Sequence, residues 1–459
     1  MASFFKGLKN KKVAFIGAGV SHRELVPMFA QAGAVVTLCD KRAQEEMGEY
    51  ATEMQGMGVR LCLGADYLQG LTGQDMILRT PGFAYGHPAL QQALREGVTV
   101  TSEMELFFEN CRCRTLGITG SDGKTTTTSL CAAMLQQAGY TVHLGGNIGR
   151  AMLPLVDEIG KDDIAVVELS SFQLESMQSS PNIAVVTNLS PNHLDVHGTF
   201  EAYVDAKRNI LLHQKAGDVA VLGWESEPVH TLKADLQGEE RHFSRLNPVQ
   251  NGAFLNKEKM LCLAAGDTIE PVVDAAELKL RGVHNIENML AAMAAVRGLV
   301  DAKDMAQVAR TFTGVEHRLE PVRMLNGVEY INDSIATTPT RSIAGLRSFG
   351  KKIILLAGGY DKKIPFEPMV QDILERVKEL ILMGTTADKI EKAVTSAPGY
   401  RPGYPTIVRA QNLEDAVYKA AKDASVGDIV LLSPACASFD AYANFEIRGR
   451  HFKQLVNAL

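Results

Sequence analysis

Tryptophan occurs once in this chain of 459 residues, aromatic residues make up only 6% of it, and its seven cysteines are scattered. Only Cys111 and Cys113 lie close, and no second pair completes a zinc set. A disulfide scaffold is thereby excluded, and the cysteines are expected to be reduced thiols, most of them filling cores. No apolar run approaches the roughly 18 residues of a membrane-spanning helix. Charge of one sign is lacking as well: 47 Lys+Arg stand against 53 Asp+Glu, a formal net charge of −6. That argues against a general binder of nucleic acid or membrane surfaces, while leaving room for a local basic pocket around phosphates. The opening Met1 to Lys12 breaks its few apolar residues with lysines and offers no signal-peptide core, so a cytoplasmic protein is expected. What is present is ample packing material, 46% hydrophobic against 22% charged. Disorder as the main state is excluded, and single cores stop growing at about 250 to 300 residues, so two or three domains are expected.

The pattern is α/β. Lys12 to Gly17 is an apolar run entering a glycine turn, Ala34 to Asp40 is a second, and a helix-length segment separates them, a βαβ rhythm. The rhythm restarts at Arg114 to Thr119, continues through Ile164 to Leu169 and Ile183 to Asn188, and returns at Lys352 to Ala357. Continuous apolar runs indicate strands buried on both faces, as in parallel sheets. Three domains follow: an N-terminal Rossmann-like unit over 1–102, a central P-loop ATPase-like parallel sheet over 103–314, and a C-terminal Rossmann-like α/β unit over 315–459. Ser396 to Pro405, dense in Pro and Gly, reads as a surface loop.

The segment richest in chemistry is Gly117-Ile-Thr-Gly-Ser-Asp-Gly-Lys-Thr-Thr-Thr-Thr128, between a short strand and helical spacing at Leu130, Ala133 and Met134. Glycines let backbone N–H groups turn inward around phosphate oxygens, the helix N-terminus adds positive dipole, Lys124 reaches the outer phosphates, and Thr125 suits Mg²⁺. The first glycine of the usual pattern falls at Ile118. Two further strands end in polar groups where an open sheet places its crevice. Glu168 closes one, and His193, Asp195 and His197 follow the other. Beside a phosphate loop, Glu168 and His193 suit a divalent metal, and His197 is left open. Near the start, Gly17-Ala-Gly-Val-Ser-His22 with Asp40 is a partial dinucleotide fingerprint that lacks its third glycine. It fits a Rossmann-like unit without a nicotinamide site, or a turn holding another nucleotide's diphosphate.

Taken together, these segments resemble the Mur ligases, the ATP-dependent amide-forming enzymes of cell-wall precursor synthesis, over essentially the whole chain and in order. The carriers are Gly123-Lys-Thr125, Gly146-Asn-Ile-Gly149, Glu168-Leu-Ser-Ser-Phe-Gln173, Asn192-His-Leu-Asp195, His284-Asn-Ile-Glu-Asn288, His317-Arg318, Asn332-Asp-Ser334, Ser433 to Ser438, and Asn444-Phe-Glu-Ile-Arg-Gly449. The last two segments resemble the D-glutamate-adding branch. The resemblance implies that Gly120, Ser121, Asp122, Gly123, Lys124, Thr125 and Thr126 hold the ATP phosphates, with Asn285, Arg318 and Asp333 contacting the nucleotide from the second seam. It implies Mg²⁺, two ions, around Thr125, Glu168 and His193, with Lys207 as a further ligand once carbamylated. By spacing alone, Lys207 reads as a surface helix lysine. Lys124, His193, Lys207 and Arg318 would form the catalytic set. Gly17, Gly19, Ser21, Asp40, Thr80 and Gly82 would hold the uridine diphosphate end of UDP-N-acetylmuramoyl-L-alanine, Asn147 its muramoyl part, and Thr337, Lys362, Ser438 and Phe445 the incoming D-glutamate. Ile335 stands where the family often has lysine, and Lys363 competes with Lys362 for the pocket role.

The implied activity is ligation of D-glutamate through an acyl phosphate, by a monomer with small-molecule substrates. Competing readings are a sibling ligase for another amino acid, a nucleotide-gated binding protein using the loop as a switch, and a Rossmann oxidoreductase, which His22 disfavours.

Overall fold

The computed structural model describes residues 3–147, 151–280, 282–361 and 364–459. The chain forms two compact units, Met1–Phe312 and Thr313–Leu459. The first unit holds two sheets. Strands β1 (Lys12–Ile16), β2 (Val35–Asp40), β3 (Arg60–Leu63), β4 (Met76–Arg79) and β5 (Thr99–Thr101) make a parallel sheet in the order β3-β2-β1-β4-β5. The chain winds outward from β1 in one direction and resumes at β4 on its other side. The turns after β1 and β4 therefore face each other at the switch point, where such sheets hold ligands.

The second sheet has nine strands: β6 (Arg114–Thr119), β7 (Val142–Gly146), β8 (Ile164–Glu168), β9 (Ile183–Val186), β10 (Val219–Gly223), β11 (Glu239–Ser244), β12 (Asn251–Leu255), β13 (Met260–Ala265) and β14 (Thr268–Asp274). Their order is β14-β13-β12-β11-β10-β9-β6-β8-β7. β8 and β9 are buried along their whole length, as their unbroken Val/Ile runs require, and they flank β6. Helix Lys124–Gln137 packs with the alanine-rich helix Val283–Val296 on one face, in a shared apolar cluster. A second cluster runs without a break from Phe15 of the first sheet and Phe29 of helix Leu25–Gln31 into Phe107, Met152 and Tyr203. The parallel expectation misses one end: β12, β13 and β14 pair antiparallel, with β14 at the edge largely exposed.

The Thr313–Leu459 unit contains β15 (Glu320–Leu325), β16 (Val328–Asn332), β17 (Ile353–Gly358), β18 (Val377–Met383), β19 (Thr406–Arg409) and β20 (Ile429–Leu432), ordered β15-β16-β20-β17-β18-β19. β15 and β16 are an antiparallel hairpin turned by Asn326 and Gly327, both at positive φ, the residues a two-residue hairpin favours. The other pairs are parallel, and apolar clusters line both faces.

Candidate functional site

The phosphate loop is shaped by two glycines with no room for a side chain. Gly120 lies at φ 143° and Gly123 at φ 79°; a Cβ on the first would meet Thr187 Oγ1 at 1.9 Å and on the second Asn288 Oδ1 at 2.2 Å. Side chains behind the loop fasten it. Ser121 Oγ donates to the Ser190 carbonyl at 3.0 Å and accepts from Ser190 N at 2.9 Å, Tyr203 Oη lies 3.0 Å from it, and Asn188 Oδ1 accepts from Asp122 N at 3.0 Å. Lys124 folds across the loop and donates to the carbonyls of Gly120 and Ser121, both at 2.9 Å. Thr127 Oγ1 donates to Asn288 Oδ1 at 3.4 Å, and Asn288 Nδ2 donates to Asn285 Oδ1 at 3.1 Å, which brings Asn285 to this helix pair.

Beside the loop, Thr125 Oγ1 donates to Glu168 Oε2 at 2.7 Å, and Asn147 Nδ2 donates to Glu168 Oε1 at 2.8 Å. Glu168 is buried, so both carboxylate oxygens sit within a polar nest of hydroxyl and amide. Lys207 differs from its surface reading: it is 1% exposed, donates to Thr119 Oγ1 at 3.0 Å, and its Nζ stands 4.8 Å from the Tyr203 ring centroid. Burial, reinforced by the Lys124 charge, holds its amine well below its ordinary range against the pull of Glu168. Spacing missed this because its helix Phe200–Leu212 lies against the underside of the loop, the face on which Tyr203, Ala206 and Ile210 are also buried. His193 is exposed, at positive φ (53°) before the short helix Leu194–His197, with its ring 5.0 Å from Phe172. His197 stacks on Phe172 at 5.2 Å and bonds Ser171 Oγ at 3.0 Å.

At the first sheet's switch point, Gly17 at φ 82° would place a Cβ 3.4 Å from Thr80 Cγ2, so the turns carrying Gly17, Gly19, Thr80 and Gly82 adjoin. Ser21 lies in the short helix Val20–Arg23 that follows. Asp40 is engaged within the protein: it accepts from Ala18 N at 2.8 Å, and from Arg42 Nε at 2.9 Å and Nη2 at 2.7 Å. Burial alone would raise its carboxyl, but these donors outweigh it and leave it at about 2. Arg42, unremarked in the sequence, is the group Asp40 orients. His22 is buried and bonds the Gly17 carbonyl at 2.9 Å; desolvation brings its pKa down to about 4. The missing third glycine is thus a neutral histidine packed against Phe15.

Within Thr313–Leu459, Asp333 directly follows β16 and is buried, accepting from Ser433 Oγ at 2.8 Å and Leu319 N at 3.3 Å. Desolvation outweighs those bonds and the nearby Arg318 and Arg341 charges, carrying its carboxyl up to about 7. Arg318 is exposed, and Thr337 is half-buried just before helix Pro339–Arg347. Ser438 is buried and Phe445 is half-buried, its ring 6.0 Å from His317. Arg448 crosses beneath them, buried, donating to Ser334 Oγ at 3.0 Å and to the carbonyls of Ser334, Cys436 and Ala437. Lys362 and Lys363 lie outside the described residues.

Three family models cover most of the chain: the MurD-like N-terminal domain of Mur ligases matches residues 11–102, the Mur ligase middle domain 118–296, and the Mur ligase glutamate ligase domain 317–436. The chain belongs to the Mur ligase family. Two relatives named UDP-N-acetylmuramoylalanine--D-glutamate ligase, from Acetivibrio thermocellus and Clostridium novyi, are 48% and 45% identical, over 99% and 98% of this chain and 98% of each relative. Solved Mur ligases share the fold at low identity. The UDP-N-acetylmuramate-alanine ligase MurC of Thermotoga maritima aligns with a TM-score of 0.56 at 18% identity, over 97% of this chain and 99% of its own. The MurF ligase of Thermotoga maritima in complex with ADP aligns at 0.53 and 17%, over the whole of both chains.

In this Mur ligase the loop, Thr125, Glu168 and Asn147 are one connected group, and Lys207 packs beneath it against Thr119. Tyr203, Asn188 and Asn288, which fasten the loop, had no role assigned from the sequence because each carries an ordinary polar group whose partner is 66 or more positions away. Arg448 lay inside a quoted motif without a role.

Proposed function

We propose that this Mur ligase joins D-glutamate to UDP-N-acetylmuramoyl-L-alanine at the expense of ATP. The reading is carried by the connected group of phosphate loop, Thr125, Glu168 and Asn147 in a chain nearly half identical, end to end, to relatives bearing that ligase name. The loop amides and the Lys124 ammonium hold the triphosphate, and the terminal phosphoryl passes to the L-alanine carboxylate, giving an acyl phosphate and ADP. The D-glutamate amine attacks that carbonyl, the tetrahedral intermediate expels phosphate, and the amide remains. Such transfers need little covalent help from protein, so the residues act by position and charge.

The donor set fits magnesium, since a hydroxyl and a carboxylate side by side are hard oxygen ligands: Thr125 and Glu168 would hold the ion, with His193 nearby, and the ion would neutralise phosphate charge. Burial favours the uncharged form of the Lys207 amine, the form that adds CO₂ to give a carbamate, which would supply a further anionic oxygen. In the second unit, Asp333 and Arg318 are assigned to the nucleotide, and Thr337, Lys362, Ser438 and Phe445 to D-glutamate. The first-sheet turns at Gly17 and Thr80, with Arg42 held by Asp40, are assigned to the uridine diphosphate.

Phosphate release is the test. With ATP, magnesium and UDP-N-acetylmuramoyl-L-alanine, D-glutamate should stimulate release strongly, and L-glutamate or diaminopimelate should not. Stimulation by diaminopimelate instead would assign the chain to a sibling ligase, and release independent of any amino acid would point to a nucleotide switch.

A further inference from the structure

Arg79, the last residue of β4, joins the first sheet to the central one. Its side chain is 1% exposed, and the carboxylate nearest to it, Glu175, stands at 4.0 Å. Its donors go to neutral oxygens on both sides of the seam. Nη1 donates to the Phe83 carbonyl at 3.0 Å and the Pro81 carbonyl at 3.5 Å, both in the turn that begins at Thr80. Nη2 donates to the Phe172 carbonyl at 2.7 Å and Ser176 Oγ at 2.8 Å, and Nε to the same hydroxyl at 3.2 Å. A buried guanidinium is costly to desolvate, and an apolar side chain would fill the space more cheaply. What Arg79 adds is a planar fork that fixes two segments at once.

The segment it grips is the short helix Ser171–Leu174 and its exit, three residues beyond Glu168. From that helix Phe172 contacts His193 and His197. Asn209, two residues past Lys207, holds the same helix from the other side through the carbonyls of Leu174 and Glu175. The helix is therefore braced between the substrate turn of the first sheet and the helix that carries Lys207.

We infer that Arg79 is a positioning residue, setting the register between the Thr80 turn and the segment that carries Glu168. The inference rests on the ligase reading above. A substrate anchored by its nucleotide at the Thr80 turn must present its carboxylate beside the phosphate loop, so both anchor points have to keep their spacing. A misplacement of about 1 Å remote from the chemistry can cost roughly 100-fold in rate. Each ligand still finds its own anchor when the strut is cut, so the loss falls on kcat rather than on KM.

The test uses Arg79→Ala, Arg79→Lys and Ser176→Ala in the full chain, with kcat counted per site that binds an ATP analogue, so that loss of folded protein does not imitate the effect. Expected is a fall in kcat of roughly 100-fold for Arg79→Ala, less for Arg79→Lys, and about 5-fold for Ser176→Ala, with KM for ATP and for UDP-N-acetylmuramoyl-L-alanine within about threefold of wild type. If Arg79→Ala does not fold, Ser176→Ala, which loses only a hydroxyl, decides. The inference is overturned if kcat per site stays within about twofold in Arg79→Lys and Ser176→Ala, or if the whole loss appears in KM. A wild-type chain without D-glutamate-dependent turnover would instead overturn the ligase reading.

Discussion

Replacing Asp333 by asparagine should stabilise the second unit while impairing its chemistry. The carboxyl is carried from its ordinary 3.8 to about 7, chiefly by burial. Between those values the folded unit keeps a proton that the unfolded chain has released, so stability falls as pH rises through this window and is flat above it. At roughly 1.4 kcal/mol per pH unit, the raised Asp333 carboxyl costs the unit up to about 4 kcal/mol at pH 8, where it is ionised, and about 2 kcal/mol at pH 5, where the fold must keep its proton. Asparagine escapes this cost and finds the same partners. Its oxygen can accept from Leu319 N and its amide can donate to Ser433 Oγ, whose own proton can turn to Ser342 Oγ, 2.9 Å away. The single tryptophan, Trp224, lies in the first unit and does not report this change. The assay is hydrogen exchange of residues 328–333 and 429–433, corrected for intrinsic rate, at pH 5 and pH 8. Slower exchange in the variant, by a margin that widens at pH 8, is expected, together with weakened ATP-dependent turnover, as when a strained site residue is relieved. Faster exchange in the variant at pH 8, or a margin that does not change with pH, would refute the reasoning.

His22 takes its proton at about 4 in the fold against 6.5 ordinarily; the unfolded chain protonates first as pH falls, so the first unit should lose about 3 kcal/mol between pH 6.5 and pH 4. His22→Gln should flatten that part of the profile, read by Trp224 fluorescence in urea at pH 7 and 4.5; an unchanged slope would count against it. Lys124→Ala should cut D-glutamate-dependent phosphate release by on the order of 100-fold or more, and turnover near wild type would remove the ammonium from the mechanism. Gly123→Ala would drive a Cβ to 2.2 Å from Asn288 Oδ1 and should weaken ATP binding by calorimetry; adding Asn288→Ala should restore part of the loss, and strict additivity would refute a steric cause.

Much of this molecule is legible in its sequence because its chemistry sits where apolar strands stop. The runs ending at Ile16, Thr119, Glu168 and Val186 announced parallel strands, and Gly123-Lys-Thr125 announced its phosphate loop by local order alone. Lys207 was misread from spacing, since a lysine's burial depends on what packs over its helix, here Tyr203 and the strand end at Thr119. Asp40 was located, yet its partner Arg42 was not, because an acid two residues from an arginine is too common to signal a bidentate ion pair. Arg79 gave no signal: an arginine closing Met76-Ile-Leu-Arg79 looks like a solvated strand end until Phe172 and Ser176, more than ninety positions on, are folded against it. The antiparallel edge β12–β14 gave no signal of direction: β13, Met-Leu-Cys-Leu-Ala-Ala over 260–265, is as continuous an apolar run as the parallel strands, and such a run does not tell which way its neighbours point.

The substrate carboxylate, and not water, should take the terminal phosphoryl group. UDP-N-acetylmuramoyl-L-alanine labelled with ¹⁸O in both oxygens of its alanine carboxylate, incubated with ATP, magnesium and D-glutamate, should yield phosphate carrying one ¹⁸O, because the bridging oxygen leaves with phosphorus when the amine attacks. Unlabelled phosphate released alongside the amide would contradict the acyl phosphate.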